Sequence, residues 1–232
     1  MIPRRIHCFW AGGPKTGLAK RCLASWRRFA PDWTVHEWTA DELRRVAAEP
    51  GLGLRFFEAA VSAGKWAMAS DWARMLALWL EGGVYFDFDV ELVAPAERLP
   101  DCEWIAGEWT VGGSVWMNPG GGIALEKGST VARRMLAAYD GALFDPEREM
   151  MPWINDMIGE ALRSSGGVGV RVLPPEVLNP VRADGRICAT GATVGIHHYA
   201  MGGASRRRRL ARWLSWHGLD WLVRSLSGRR TA

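Results

Sequence analysis

Ser70-Asp-Trp-Ala-Arg-Met-Leu-Ala-Leu-Trp-Leu-Glu-Gly-Gly-Val-Tyr-Phe-Asp-Phe-Asp-Val-Glu-Leu92 holds the most structure per residue of any stretch in the chain. Its apolar residues recur at helical spacing from about Ser70 to Glu81, and Gly82-Gly83 marks the helix C-terminus. Val84-Tyr85-Phe86 then reads as a short strand that delivers Asp87 and Asp89 at its C-terminal edge. Open α/β sheets bind their ligands at that edge. Two carboxylates that flank one residue, in a loop just past the sheet, can converge on one cation. Hard cations such as Mg2+ or Mn2+ take oxygen ligands and bind substrate phosphates well.

N-terminal to this stretch, Ile6–Trp10 reads as a strand, Leu18–Phe29 as a helix stopped by Pro31, and Trp33–Trp38 as a second strand. Thr39 and Glu42 have the spacing of a capping box for a helix to about Ala48. A further helix is expected over Leu54–Ala63. C-terminal to it, Trp104–Leu125 alternates short apolar runs with Gly and reads as several strands. Helices near Thr130–Tyr139 and Trp153–Arg163 follow, with strands at Val170–Leu173 and Thr193–His197. Alternating strands and helices predict an α/β fold on a mostly parallel central sheet.

Of 232 residues, 48% are hydrophobic and 23% charged, which excludes disordered and low-complexity classes. The net charge of +4 is unevenly spread. From Arg206 onward eight Arg face Asp220 alone, so this tail carries +7 and residues 1–205 carry −3. The division is a domain over 1–205 and a basic, Arg- and Trp-rich amphipathic helix over 206–232. Such a helix suits an anionic membrane surface, or equally packs its apolar stripe on the domain. Nucleic acid is not expected as a partner, because the body is acidic and holds no recognised nucleic-acid motif. Cys8, Cys22, Cys102 and Cys188 show no metal spacing and are read as reduced, buried thiols of a cytoplasmic protein. No secretory leader or spanning segment is expected.

Ile-Pro-Arg-Arg-Ile-His-Cys-Phe-Trp-Ala-Gly-Gly from Ile2, the 70–92 stretch, Leu-Pro-Pro-Glu-Val-Leu-Asn-Pro from Leu173 and Gly-Ile-His-His-Tyr-Ala from Gly195 together resemble the sugar-binding, D-x-D-containing glycosyltransferases. These are typified by yeast initiating mannosyltransferase, bacterial capsular and lipopolysaccharide transferases, and clostridial glucosylating toxins. The resemblance spans residues 2 to about 201. It implies a GT-A-like, Rossmann-related fold, a Mn2+ or Mg2+ cofactor, and transfer that retains anomeric configuration. The donor implied is a UDP- or GDP-linked sugar, and the acceptor a glycan or lipid-linked molecule, in surface polysaccharide synthesis; peripheral attachment at the inner membrane face is an expectation from the basic tail alone.

Residue by residue, the resemblance gives Trp10 and Ala11 the nucleotide, Asp71 the sugar hydroxyls and Arg74 the sugar or diphosphate. Tyr85 lines the same pocket or belongs to the core, and a core role is also open to Trp10. Asp71 and Arg74 are three apart on one helix, so an intrahelical ion pair is the alternative for them. Asp87 is expected at ribose and metal, and Asp89 as the main metal ligand. Of His197 and His198 only one can face inward; His198 is the expected third ligand. Ala200-Met201-Gly202-Gly203 lacks the family's Ser and final Trp. Asn118, Glu126 and Lys127 lie in a segment similar to the acceptor side, and Asn155-Asp156 follow it. All are equally good as loop caps, so no acceptor residue is assigned. Two alternatives stay open: a D-x-D phosphatase of the haloacid-dehalogenase type, and a nucleotide-sugar-binding protein without transfer activity.

Overall fold

The computed structural model describes residues 1–11, 13–47, 49–109, 114–142, 154–164, 169–182, 185–200, and 210, 214 and 219. In chain order the elements are β1 Arg5–Phe9, α1 Gly17–Phe29, β2 Thr34–Trp38, α2 Ala40–Val46, α3 Leu54–Ser62, α4 Trp66–Glu81, β3 Gly83–Tyr85 and β4 Val90–Leu92. They continue with β5 Trp104–Trp109, β6 Val115–Met117, β7 Ile123–Leu125, α5 Thr130–Gly141, α6 Ile154–Ser164, β8 Arg171–Leu173, α7 Pro175–Leu178 and β9 Gly195–His197.

The main sheet runs β2-β1-β3-β7-β5-β6, with β8 on β5. β1 pairs in parallel with β2 and β3, and β8 with β5, whereas β7 runs antiparallel to both β3 and β5. Five of its seven strands therefore point the same way, the mostly parallel α/β sheet expected. β6 and β7 pair successive parts of β5, so 115–125 is one antiparallel strand interrupted by an excursion at Asn118–Gly122. That excursion reaches into the site described below. A second, two-stranded sheet pairs β4 with β9.

Strand alternation divides the core in two. Phe9, Tyr85, Ile105 and Ile123 face a cluster built on α3, α4 and α5. Ile6, Cys8, Val84, Trp104 and Ala124 face a second cluster that includes Cys22, Leu23 and Trp26 of α1. Burying one such large apolar side chain is worth about 1.5–3 kcal/mol. Thr39 and Glu42 make the reciprocal capping box at α2. α4 begins at Trp66, four residues before the expected Ser70, and this brings Trp66 and Ala67 to the site. At its far end Gly82 and Gly83 both adopt positive φ, and a side chain at Gly83 would stand 2.6 Å from the Arg5 carbonyl. The tight α4–β3 corner therefore needs glycine there. No disulfide forms; Cys8 and Cys22 are buried as expected, but Cys102 and Cys188 are only partly so. Among the described residues, no helix is long and apolar enough to cross a membrane. The tail expected to form an amphipathic helix lies outside the described residues apart from Leu210, Leu214 and Leu219.

Candidate active site

β3 ends at Tyr85, and the chain turns over Asp87–Val90, closed by the Val90 N–H donating to the Asp87 carbonyl at 3.0 Å. Residues at i and i+2 share one face of an extended chain, and Asp87 and Asp89, flanking Phe88, both line one cavity of about 400 Å³. Phe88 between them is buried, edge-on to Trp10 at 5.0 Å and 5.9 Å from Trp26, and it also contributes to the cavity wall. The apolar residue of D-x-D is thus the pin that sets both acids in place.

Trp10, Ala11, Asp71, Arg74, Asp87 and Asp89 all line this cavity. Arg74 is almost fully buried; it donates to Asp71 Oδ1 at 2.7 Å and to Asp87 Oδ1 at 2.9 Å. The i,i+3 ion pair on the helix is therefore present, and it sits in the cavity wall. Burial works against the Arg74 charge, but Asp87 and Asp71 outweigh it and raise the guanidinium pKa further. Burial also pushes the Asp71 carboxyl up to about 6, with Arg74 pulling against it. Tyr85 does not line the cavity. It is fully buried behind the wall, with Arg74 5.0 Å above its ring and its hydroxyl 3.0 Å from Ser70 Oγ, so of its two expected places the core is the one observed.

His198 was expected beside the two acids, and the structure puts its neighbour there. His197, not His198, faces the acids: its Nε2 lies 3.3 Å from Asp89 Oδ1. Strand β9 alternates, so His198 turns away, and its Nε2 is 2.9 Å from Glu91 Oε2, which also pairs with Arg21. The side chain of Asn179, fully buried in the Leu-Asn-Pro stretch, explains how His197 is oriented. Its Nδ2 donates to the Gly107 carbonyl at 2.7 Å, so its Oδ1 accepts from His197 Nδ1 at 3.1 Å. With Nδ1–H committed there, Nε2 is the nitrogen left to face Asp89. The 3.3 Å gap then holds either a proton or a cation. Burial lowers the His197 pKa, but Asp89 outweighs it and the net direction is upward.

Ligand atoms of Asp87, Asp89 and His197 lie within 4.8 Å of one another. Two hard oxygens and an imidazole are a donor set that fits Mn2+ or Mg2+. His7, His36 and Glu81 form a second such group. There, however, His7 accepts from Trp38 Nε1 through Nδ1 at 3.0 Å and contacts the Gly82 carbonyl through Nε2 at 2.8 Å. Both ring nitrogens are used by the fold. The acidic trio leads to a discriminating prediction: His197→Ala weakens Mn2+ binding, read by calorimetry, about 10–100-fold, whereas His198→Ala stays within about twofold. The reverse order would return the ligand role to His198.

Sequence reasoning did not assign Trp66, Ser70, Glu108, Pro119, Gly120, Ile154 and Tyr199, which also line the cavity. Gly120 approaches so closely that a Cβ there would lie 2.9 Å from Asp87 Oδ2 and 3.2 Å from Asn118 Oδ1. The 118–122 excursion therefore abuts the carboxylates directly. Glu126 and Lys127 lie elsewhere: Glu126 pairs with the N-terminal ammonium group, and Lys127 lines a different pocket.

Residues 18–106 match the family described as "Glycosyltransferase sugar-binding region containing DXD motif". No curated protein matches the chain in sequence. Among solved structures, "PaToxG Glycosyltransferase" superposes with a TM-score of 0.56 at 18% identity, covering 71% of this chain and 70% of its own. A "glycosyltransferase involved in the glycosylation of the major capsid of PBCV-1" superposes at 0.52 with 14% identity, covering 89% and 98%. At these identities the likeness is one of fold, and it is the GT-A fold. Together with the family match it leaves the phosphatase alternative without support. Residues 18–106 are thus similar to the sugar-binding region of the DXD-containing glycosyltransferases, and the chain has the fold that solved glycosyltransferases share.

Proposed function

We propose that the protein transfers a sugar from a nucleoside-diphosphate donor, with retention, to a glycan or lipid-linked acceptor in surface polysaccharide synthesis. The observation that carries this reading is the convergence of Asp87, Asp89 and His197 in one cavity beside the buried Arg74 guanidinium. In this reading Asp87, Asp89 and His197 hold Mn2+ or Mg2+, which when bound neutralises charge on the diphosphate. Arg74, steadied by Tyr85 behind it, offers a planar guanidinium to donor oxygens. Asp71 accepts from sugar hydroxyls, and Trp10 gives the base an aromatic face; Trp10 is itself held by its Nε1–H donating to the Gly13 carbonyl at 2.8 Å. The basic tail, 206–232, docks the cytoplasmic enzyme on an anionic membrane face.

The test is a panel of UDP-, GDP- and other nucleotide-sugars with and without Mn2+, followed by thermal shift and by release of nucleoside diphosphate. One donor class is expected to raise Tm in the presence of metal and to be turned over, because a ligand that binds only the native state stabilises it. A flat response to every donor overturns the proposal. A second reading, a nucleotide-sugar-binding protein without transfer, is favoured by the Ala200-Met201-Gly202-Gly203 departure from the family pattern. It predicts the thermal shift with neither transfer nor hydrolysis.

A further inference from the structure

Glu108 sits near the end of β5 and lines the cavity together with Asn118 and Tyr199. Its Oε2 accepts from the Asn118 side-chain amide and from the Tyr199 hydroxyl, the latter at 2.8 Å. Asn118 Nδ2 also reaches the Tyr199 hydroxyl at 3.1 Å, while Asn118 Oδ1 accepts from Gly121 N–H at 3.2 Å. The Tyr199 ring stacks on His197 with centroids 4.0 Å apart, and Tyr199 adopts a positive φ of 50°. Such a backbone is uncommon outside glycine and is held by its surroundings. Three separate segments, β5, the 118–122 excursion and the residues after β9, are thereby tied to one carboxylate oxygen.

The other oxygen, Oε1, has no hydrogen-bond partner among the described residues. An ionised carboxylate only accepts, and charge-assisted bonds to it are stronger than neutral ones. One anchored oxygen and one open oxygen make a rigid acceptor for a hydroxyl. The position is next to the reacting centre, since the space at Gly120 adjoins both Asp87 Oδ2 and Asn118 Oδ1. Trp66, 45% exposed, and Ile154 supply apolar surface in the same cavity, suited to the C–H face of a pyranose ring.

We propose that Glu108, held by Asn118 and Tyr199, is the acceptor subsite, and that its Oε1 takes a hydrogen bond from a non-reacting hydroxyl of a saccharide acceptor. This rests on the glycosyltransferase reading and names its acceptor class. Glu108 then fixes the ring so that the neighbouring hydroxyl meets the donor sugar.

Glu108→Gln separates this role from a structural one. The Gln carbonyl can still accept from Asn118 and Tyr199, but its NH2 replaces the open oxygen and donates where the carboxylate accepted. The experiment uses the full chain, Mn2+, the donor that the wild type turns over, and methyl glycosides of glucose, galactose, mannose, rhamnose and N-acetylglucosamine. Transfer is read by mass spectrometry and hydrolysis as free sugar. The expected result is transfer by the wild type to at least one glycoside. In E108Q the ratio of transfer to hydrolysis falls about 100-fold and the acceptor KM rises, with donor Kd within about twofold. An unchanged ratio, an equal fall in transfer and hydrolysis, or a lost donor Kd overturns the proposal. A wild type that hydrolyses donor and glycosylates none of the panel overturns the saccharide class alone. A wild type that neither binds nor turns over any donor fails the parent reading, and this one with it.

Discussion

Asp89→Ala is expected to lower metal-dependent turnover by a factor on the order of 10³, the size seen when one preorganised charge-stabilising group is removed from a dry site. Asp89 is 2% exposed, and its two oxygens are aimed at different partners. Oδ1 faces His197 Nε2, and Oδ2 accepts from Ala200 N–H at 2.6 Å. The same carboxylate therefore carries the oxygen proposed as a metal ligand and fastens the chain just after β9, which carries His197. Ala removes both functions, and leaving the Ala200 N–H without its partner costs about 1–3 kcal/mol of stability. Asp89→Asn separates the two. Its carbonyl oxygen still accepts from Ala200, so the stability cost shrinks, while the anionic ligand is lost and activity stays low. Full metal-dependent transfer by both variants, measured against wild type at saturating donor, contradicts the assignment.

Arg74→Met is expected to lower Tm by about 10 °C. Removing one partner of a buried ion pair costs about 3–5 kcal/mol, because the charge left behind is uncompensated, and in a chain of this size 1 kcal/mol moves Tm by about 2–4 °C. Arg74 neutralises two acids at once, Asp71 and Asp87, at 2.7 and 2.9 Å. The deficit depends on pH in a determined direction. Asp71 is already raised to about 6 with the guanidinium present, against an unfolded value of about 3.9. Loss of the cation raises it further. A carboxyl whose folded pKa lies above its unfolded one contributes stability that is complete below the unfolded value and lost as pH rises through the folded one. The variant is therefore closest to wild type near pH 4–5 and furthest from it near pH 8. A Tm difference that grows as pH falls contradicts the charge-compensation account. Adding Asp71→Asn to Arg74→Met should recover part of the loss at pH 8, since it removes one of the two stranded charges.

These effects concentrate on the residues most legible in the sequence. The α4 helix, its Gly82-Gly83 stop, the short β3 strand and the Asp87/Asp89 pair follow from periodicity and turn chemistry within 23 residues of one another. The β5–β7 region was less legible, because one antiparallel strand is broken by five residues, and apolar runs alone do not show that its halves share the β5 edge. Glu108 was hidden by the same topology, since nothing local relates it to Asn118 or to Tyr199, 91 residues away. The choice between His197 and His198 is a matter of which face of a three-residue strand is inward. Only the pairing of Val90 with His197 and the buried Asn179 amide settle it. Trp66 was passed over because no cap signal marks the start of α4; Lys65 makes no side-chain cap there.

The central claim is that the D-x-D carboxylates and His197 bind a nucleoside diphosphate through a divalent cation. Its most direct test is isothermal titration of the nucleoside diphosphate of the preferred donor into wild type and Asp87→Asn/Asp89→Asn protein, each with Mn2+ and with EDTA. The account predicts binding by wild type that weakens at least about 100-fold in EDTA, and no metal dependence in the double variant. Equal affinity with and without Mn2+, or a metal dependence that survives in the double variant, would contradict it.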